Sequence, residues 1–274
     1  MADWSLAWQR RMKAMTRRVV KKAVNSAVKR AVGKAVKQAV KPVVRARASG
    51  AGAWLHGVAL GHHGVRTYRL YRPPGLTAAE RLPLLVMLHG CGQTASDFAA
   101  STRMNQLADR ERCWVLYPEQ DRLVNLQGCW SWFEAASGRA DAEIALLMNA
   151  IEQVCLRHLI DPDRVAVAGL SAGASMAALM ALKHPTRFQA VVMHSGVAPG
   201  LAASRGSALA AMQGRRRAPA LATSALLPPL LVIQGAADPV VAPSNGVVAA
   251  SLWADALGAV AGLPRTVKRG SAIR

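Results

Sequence analysis

The 274-residue sequence is short of acids, of long apolar runs and of paired cysteines, and no histidine follows His194. No uninterrupted apolar stretch approaches the roughly 20 residues that a membrane-spanning helix needs. The N-terminus also has no apolar core of a secretory signal, so a cytoplasmic protein is expected. Its basic, nearly acid-free start also resembles an organelle presequence, a weaker alternative. The four cysteines, Cys91, Cys113, Cys129 and Cys155, are irregularly spaced, with no CxxC pair and no zinc pattern. Buried free thiols are their expected state. Cys91 and Cys129 both fall in loops expected near the site, where spacing permits a bridge without establishing one. No metal or cofactor is expected.

Acids are scarcest at the start. Residues 1–50 hold 14 Lys and Arg against the single Asp3, a balance of +13, which leaves +7 of the chain's +20 for residues 51–274. A strongly basic arm on an ordinary, mildly basic α/β domain is therefore expected, with the boundary near residue 50. Residues 4–41 read as a long basic helix in which Val20, Val24, Val28, Val32, Val36 and Val40 fall four apart. A four-residue step turns the stripe by about 40°, so it spirals around the helix and suits a soft or extended partner better than a flat groove. The lysines and arginines between the valines would attract a granule coat or an anionic membrane, with nucleic acid a weaker candidate. A solvated tail that only confers solubility is the plain alternative. Pro42 and the segment 46–52 end the helix and serve as a linker.

Beyond Trp54, strands and helices alternate. Val65–Tyr71 alternates with period two and reads as an outer strand, whereas Leu84–Leu88, Ala190–Met193 and Leu230–Ile233 read as short buried strands. Helices are predicted over Asp97–Arg110 and Asp141–His158, and a strand over Cys113–Tyr117. His56, His62 and His63 are expected on a surface hairpin. The pattern predicts a mostly parallel sheet with helices on both faces, its site built from loops at the carboxyl ends of strands. Val165–Ala168 then leads into Gly169-Leu170-Ser171-Ala172-Gly173 and an Ala/Met/Leu run to Leu182. A strand, Gly-x-Ser-x-Gly and a helix form the context of a nucleophile elbow, whose tight reversal requires small residues two before and two after the serine. The competing reading is a helix start capped by Ser171. After Leu88, the segment His89-Gly90-Cys91-Gly92-Gln93 can point a backbone N–H into the site, so Cys91 and Ala172 are the candidate oxyanion donors. Asp238 follows the strand at Leu230–Ile233, in the Ser…Asp…His order of such hydrolases, with a turn or helix cap as its alternative role.

These segments, together with Tyr117-Pro118-Glu119-Gln120, Cys129-Trp130-Ser131-Trp132-Phe133, Asp161–Val165 and His194-Ser195-Gly196, resemble the polyhydroxyalkanoate (polyhydroxybutyrate) depolymerase-type esterases over roughly residues 55–260. The resemblance implies an α/β-hydrolase fold and cleavage of polyester or other carboxylic esters through an acyl-enzyme. It makes Ser171 the nucleophile, Asp238 the triad acid, and Cys91 and Ala172 the oxyanion donors. Trp130, Trp132 and Phe133 are offered as contacts for the acyl chain, with core packing as their other reading. Ala174 stands where the family usually has another glycine. The larger departure is the general base, which in the family lies beyond the acid, after one more strand. Pro264–Gly270 looks like the approach to that strand, so a C-terminally shortened hydrolase lacking its last strand and helix is expected. His194 is a weak substitute, because the resemblance includes a histidine there in addition to the base. Two functions follow as expectations. One is a serine ester hydrolase of doubtful activity, cytoplasmic or at polyester granules; the other is a catalytically silent protein that binds granules, membranes or polyanions through its basic arm.

Overall fold

The computed structural model describes residues 52–77, 79–123, 125–217 and 226–263. The predicted basic helix over 4–41, its linker up to residue 51 and the segment 264–270 lie outside the described residues. Seven strands form one sheet: β1 (Ala53–Gly61), β2 (Gly64–Arg72), β3 (Leu82–Leu88), β4 (Trp114–Pro118), β5 (Ile160–Leu170), β6 (Ala190–His194) and β7 (Leu230–Ile233). Their order across the sheet is β1-β2-β4-β3-β5-β6-β7. The hairpin of β1 and β2 and its junction with β4 are antiparallel, and every other pairing is parallel. The histidines expected on a hairpin lie there, His62 and His63 at its turn.

Six helices complete the described domain: α1 (Ala95–Thr102), α2 (Met104–Glu111), α3 (Arg139–Arg157), α4 (Ala172–Lys183), α5 (Arg205–Met212) and α6 (Ser244–Leu257). The single helix predicted over 97–110 is broken by Arg103, whose left-handed backbone (φ 54°) ends α1 and starts α2. A capping box between Thr94 and Asp97 fixes the start of α1 two residues earlier than predicted. The turn expected at Asp161–Asp163 falls within β5, opposite a register irregularity between Leu82 and Leu84 of β3.

Because strand side chains alternate between faces, β3 feeds two cores at once. Leu84, Val86 and Leu88 join Ile144, Leu147 and Ile151 of α3 and Met176 and Met180 of α4 in the larger core. Met87 joins Phe98, Val115 and Tyr117 in the smaller one. The centre of the sheet is thereby covered on both sides, as a parallel sheet requires. Its β7 end differs from the buried strand that was expected: Leu231 is 56% and Ile233 43% exposed. Registers Leu88–Gly169, Leu170–His194 and His194–Ile233 bring the carboxyl ends of β3, β5, β6 and β7 into line. The loops carrying Cys91, Ser171, Ser195 and Asp238 follow from those four ends.

Candidate active site

A single residue separates β5 from α4, and it is Ser171. Its backbone sits at φ 54°, ψ −118°, a region costly for any residue with a Cβ and one in which strain persists only where the surroundings enforce it. The enforcement is visible on both sides. A Cβ on Gly169 would lie 2.2 Å from the carbonyl oxygen of Gly173, and one on Gly173 would lie 2.2 Å from that of Leu88. The Ser171 amide donates to the His194 carbonyl at 2.9 Å, and its carbonyl accepts from the Ser175 amide at 3.1 Å. The Ser171 side chain makes no capping bond to α4, and its backbone is not the extended form of an N-cap. The capping reading therefore fails. Ala174, in place of a family glycine, is accommodated by Gly196, where a Cβ would approach the Ala174 methyl to 2.7 Å.

The loop after β3 is folded on itself and against its neighbours. Gly90 N–H donates to the Gln93 side chain at 2.8 Å, Gln93 N–H to Gly90 O at 3.2 Å, and Gly92 N–H to Gln127 O at 2.8 Å. Gly92 has φ +78°, a conformation that glycine adopts without steric cost. These bonds occupy the amides on either side of Cys91. Cys91 forms a disulfide with Cys129, correcting the expectation of four free thiols; Cys113 and Cys155 are free. Ala172 N–H opens α4, in the first turn, where amides have no partner within the helix. The two candidate oxyanion donors thus sit on the neighbouring strand ends of β3 and β5.

His89 is not available as a base. Buried, it shares a hydrogen between Nδ1 and the Gly90 carbonyl at 2.9 Å, while Nε2 accepts the Gln120 amide at 3.1 Å. That pattern is a neutral imidazole, and burial pushes its pKa below the ordinary histidine value. His194 is exposed, and its carbonyl, not its ring, holds Ser171. Among the described residues, no hydrogen bond joins Ser171 to Asp238 or to a histidine ring.

Asp238 is half-buried in the turn after β7. Its Oδ1 accepts the Val240 and Val241 amides at 2.9 and 3.0 Å, and Oδ2 accepts from Gln234 Nε2 at 3.2 Å. Burial alone would raise its pKa, but the two amides, the Ser195 hydroxyl and Gln234 outweigh it and hold the carboxyl below its usual range. Asp238 therefore does serve its turn, as the alternative role required, through one oxygen. Ser195 links the two halves of the site: its amide donates to Ile233 O at 2.9 Å, and its φ of 51° turns the chain after β6. Sequence reading gave Ser195 no role; the only signal was its place in His194-Ser195-Gly196 after a strand.

The three aromatics separate. Trp130 is fully buried and donates its indole N–H to His89 O at 2.8 Å, so it supports the loop from inside the core and is not placed to touch an acyl chain. Its predicted substrate role is corrected accordingly. Trp132 and Phe133 are half-buried and pack edge to face, ring centroids 5.4 Å apart.

With this geometry in place, the chain matches the family described as Esterase PHB depolymerase over residues 66–261. It is 34% identical over 185 residues to poly(3-hydroxyalkanoate) depolymerase C of Paucimonas lemoignei, covering 63% of this chain and 44% of that protein. It is 31% identical over 132 residues to feruloyl esterase B of Neurospora crassa, covering 47% of this chain and 44% of that one. The chain spans less than half the length of these curated relatives. An acetyl xylan esterase from Aspergillus awamori shares the fold, with a TM-score of 0.61 and 20% identity over 76% of this chain and 81% of that one.

Proposed function

Because this chain belongs to the esterase PHB depolymerase family, we propose that it is a serine ester hydrolase whose nucleophile is Ser171. The observation that carries the reading is the strained backbone at Ser171, which has no structural use as a cap and presents a hydroxyl at the end of a buried strand. Attack by Oγ on an ester carbonyl, the hydroxyl proton passing to water where no imidazole takes it, gives a tetrahedral oxyanion facing the amides of Cys91 and Ala172. Collapse breaks the carbon–oxygen bond to the leaving group, which takes a proton from water and departs as the alcohol, and the acyl-serine left behind is hydrolysed by a second water. Asp238, its pKa held below the usual carboxylate range, is the carboxylate that would orient an imidazole. No histidine stands between Asp238 and Arg274, so within these residues the proton acceptor is left unassigned.

The substrate class we infer is a hydroxyalkanoate or other short carboxylic ester, soluble or polymeric. Its support is the depolymerase relative and an exposed pair, Leu123 at 93% and Leu126 at 89%, on the loop whose Gln127 carbonyl holds Gly92. The basic segment 4–41 is proposed as a tether to a polyester granule or anionic membrane, raising local substrate concentration. The Cys91–Cys129 bridge supports a compartment where thiols stay oxidised over the cytoplasmic location expected from the sequence. The test is hydrolysis of a short-chain 3-hydroxybutyrate ester by the wild type and by Ser171→Ala. A slow rate above buffer that disappears in the variant is expected; a rate that survives the substitution removes the proposal.

A further inference from the structure

Beneath the loop that carries Cys91 lies a charged cluster with no part in the chemistry described above. Arg66 of β2, Gln120 after β4 and Glu143 of α3 are all buried. Arg66 Nη2 meets Glu143 Oε1 at 3.0 Å, and Arg66 Nη1 donates to the Glu119 carbonyl at 3.0 Å and to the Gln120 side-chain oxygen. The Arg66 guanidinium also stands 5.3 Å from the centre of the Trp130 ring. Gln120 Nε2 donates to Glu143 and, at 3.0 Å, to the Cys129 carbonyl. The second Glu143 oxygen accepts the Ser131 amide.

A buried ion pair is weak evidence for stability, because well-packed apolar residues of similar volume commonly serve as well or better. The directionality of this one is what an apolar pair could not supply. Its bonds end on main-chain groups of Glu119, Cys129 and Ser131, which bracket the residues in contact with the loop after β3. From there the connection is short: the Gln120 amide donates to His89 Nε2, Trp130 donates to His89 O, and Cys129 is covalently joined to Cys91. These three routes from the cluster lead to His89 and Cys91.

We propose that Arg66, Glu143 and Gln120 are positioning residues that fix the Cys91 amide where an oxyanion develops, acting through Trp130, His89 and the disulfide. The inference rests on the ester-hydrolase reading for its purpose, although not for its geometry. A double substitution, read at the loop itself, tests it. Arg66→Met with Glu143→Leu replaces the pair by apolar side chains but leaves the Ser131 amide and the Gln120 side chain without their buried partner, so the full-length variant should fold and melt below the wild type. Amide hydrogen exchange within residues 89–93 should accelerate at least about tenfold relative to the amides of the central strands, since the loop that holds their acceptors Gln93, Gly90 and Gln127 is no longer braced through Trp130, His89 and Cys129. Labelling of Ser171 by a fluorophosphonate should slow by about 10²-fold, the usual consequence of a misplacement near 1 Å. Gln120→Met keeps the ion pair and removes the donor to Cys129, and the same two changes are expected in smaller measure should the double variant not fold. Wild-type exchange at 89–93 in a folded variant overturns the proposal. Absence of labelling in the wild type itself counts against the hydrolase reading alone, and the exchange measurement then still decides the role of the cluster.

Discussion

The elbow's tolerance for a single methyl group can be worked out from its contacts. A Cβ at residue 173 would meet Leu88 O at 2.2 Å and His89 O at 2.6 Å. Both are main-chain atoms of β3 and its loop, so no flexible side chain can swing away. Overpacking a tight site costs about 1–3 kcal/mol, and rigid neighbours on two sides put Gly173→Ala near about 3 kcal/mol. Residue 173 lies in α4, where alanine gains about 1 kcal/mol over glycine, so the net loss is about 2 kcal/mol. In a domain of this size that corresponds to a fall in Tm of about 4–8 °C. Gly206→Ala is the control: it too is helical, but its Cβ meets nothing within 4 Å. It should leave Tm unchanged or raise it by a few degrees. Melting followed by circular dichroism distinguishes the two. A Gly173→Ala protein that melts at or above the wild-type temperature would refute the claim that the elbow is closed by direct backbone packing.

Three further outcomes follow from the same geometry. Ser171→Gly should be more stable than Ser171→Ala by about 1–2 kcal/mol in urea denaturation, since glycine relieves the strain at φ 54° and alanine retains it; equal midpoints would show no strain. His89 is held neutral, its folded pKa below the unfolded value of 6.5. Its contribution is therefore complete above about pH 6.5 and is lost as pH falls below it, at up to about 1.4 kcal/mol per unit. The stability difference between wild type and His89→Asn should shrink from pH 7.5 to 5.5, and a constant difference would contradict the neutral imidazole. Leu123→Ser with Leu126→Ser should weaken adsorption to a poly(3-hydroxybutyrate) film in high salt by at least about tenfold, as two exposed leucines no longer find apolar cover. Unchanged adsorption would show that this loop does not face the polymer.

Much of the site was legible because its constraints are local. Gly169, Ser171 and Gly173 need only five residues and the flanking strand and helix to announce a reversal, and Leu84–Leu88 needs only its unbroken apolar run. The rest depends on partners far apart in the chain. Trp130 reads equally as a ligand contact or as core until its indole is seen to reach across 41 residues to His89. Arg66 and Glu143 are 77 residues apart, and nothing near either one signals burial. The break between α1 and α2 rests on the backbone of Arg103, a residue type with no preference for the left-handed region. The exposure of Leu231 and Ile233 reflects where β7 stands in the sheet, since its four apolar residues look the same as those of a central strand.

The account depends most on Ser171 being a nucleophile. Its most direct test is the rate at which a fluorophosphonate modifies Ser171, followed by intact mass and peptide mapping, with and without added imidazole. The expected result is slow modification confined to Ser171 and accelerated by imidazole, with none in Ser171→Ala. Modification spread over other serines, or no reaction at Ser171 at any imidazole concentration, would contradict it.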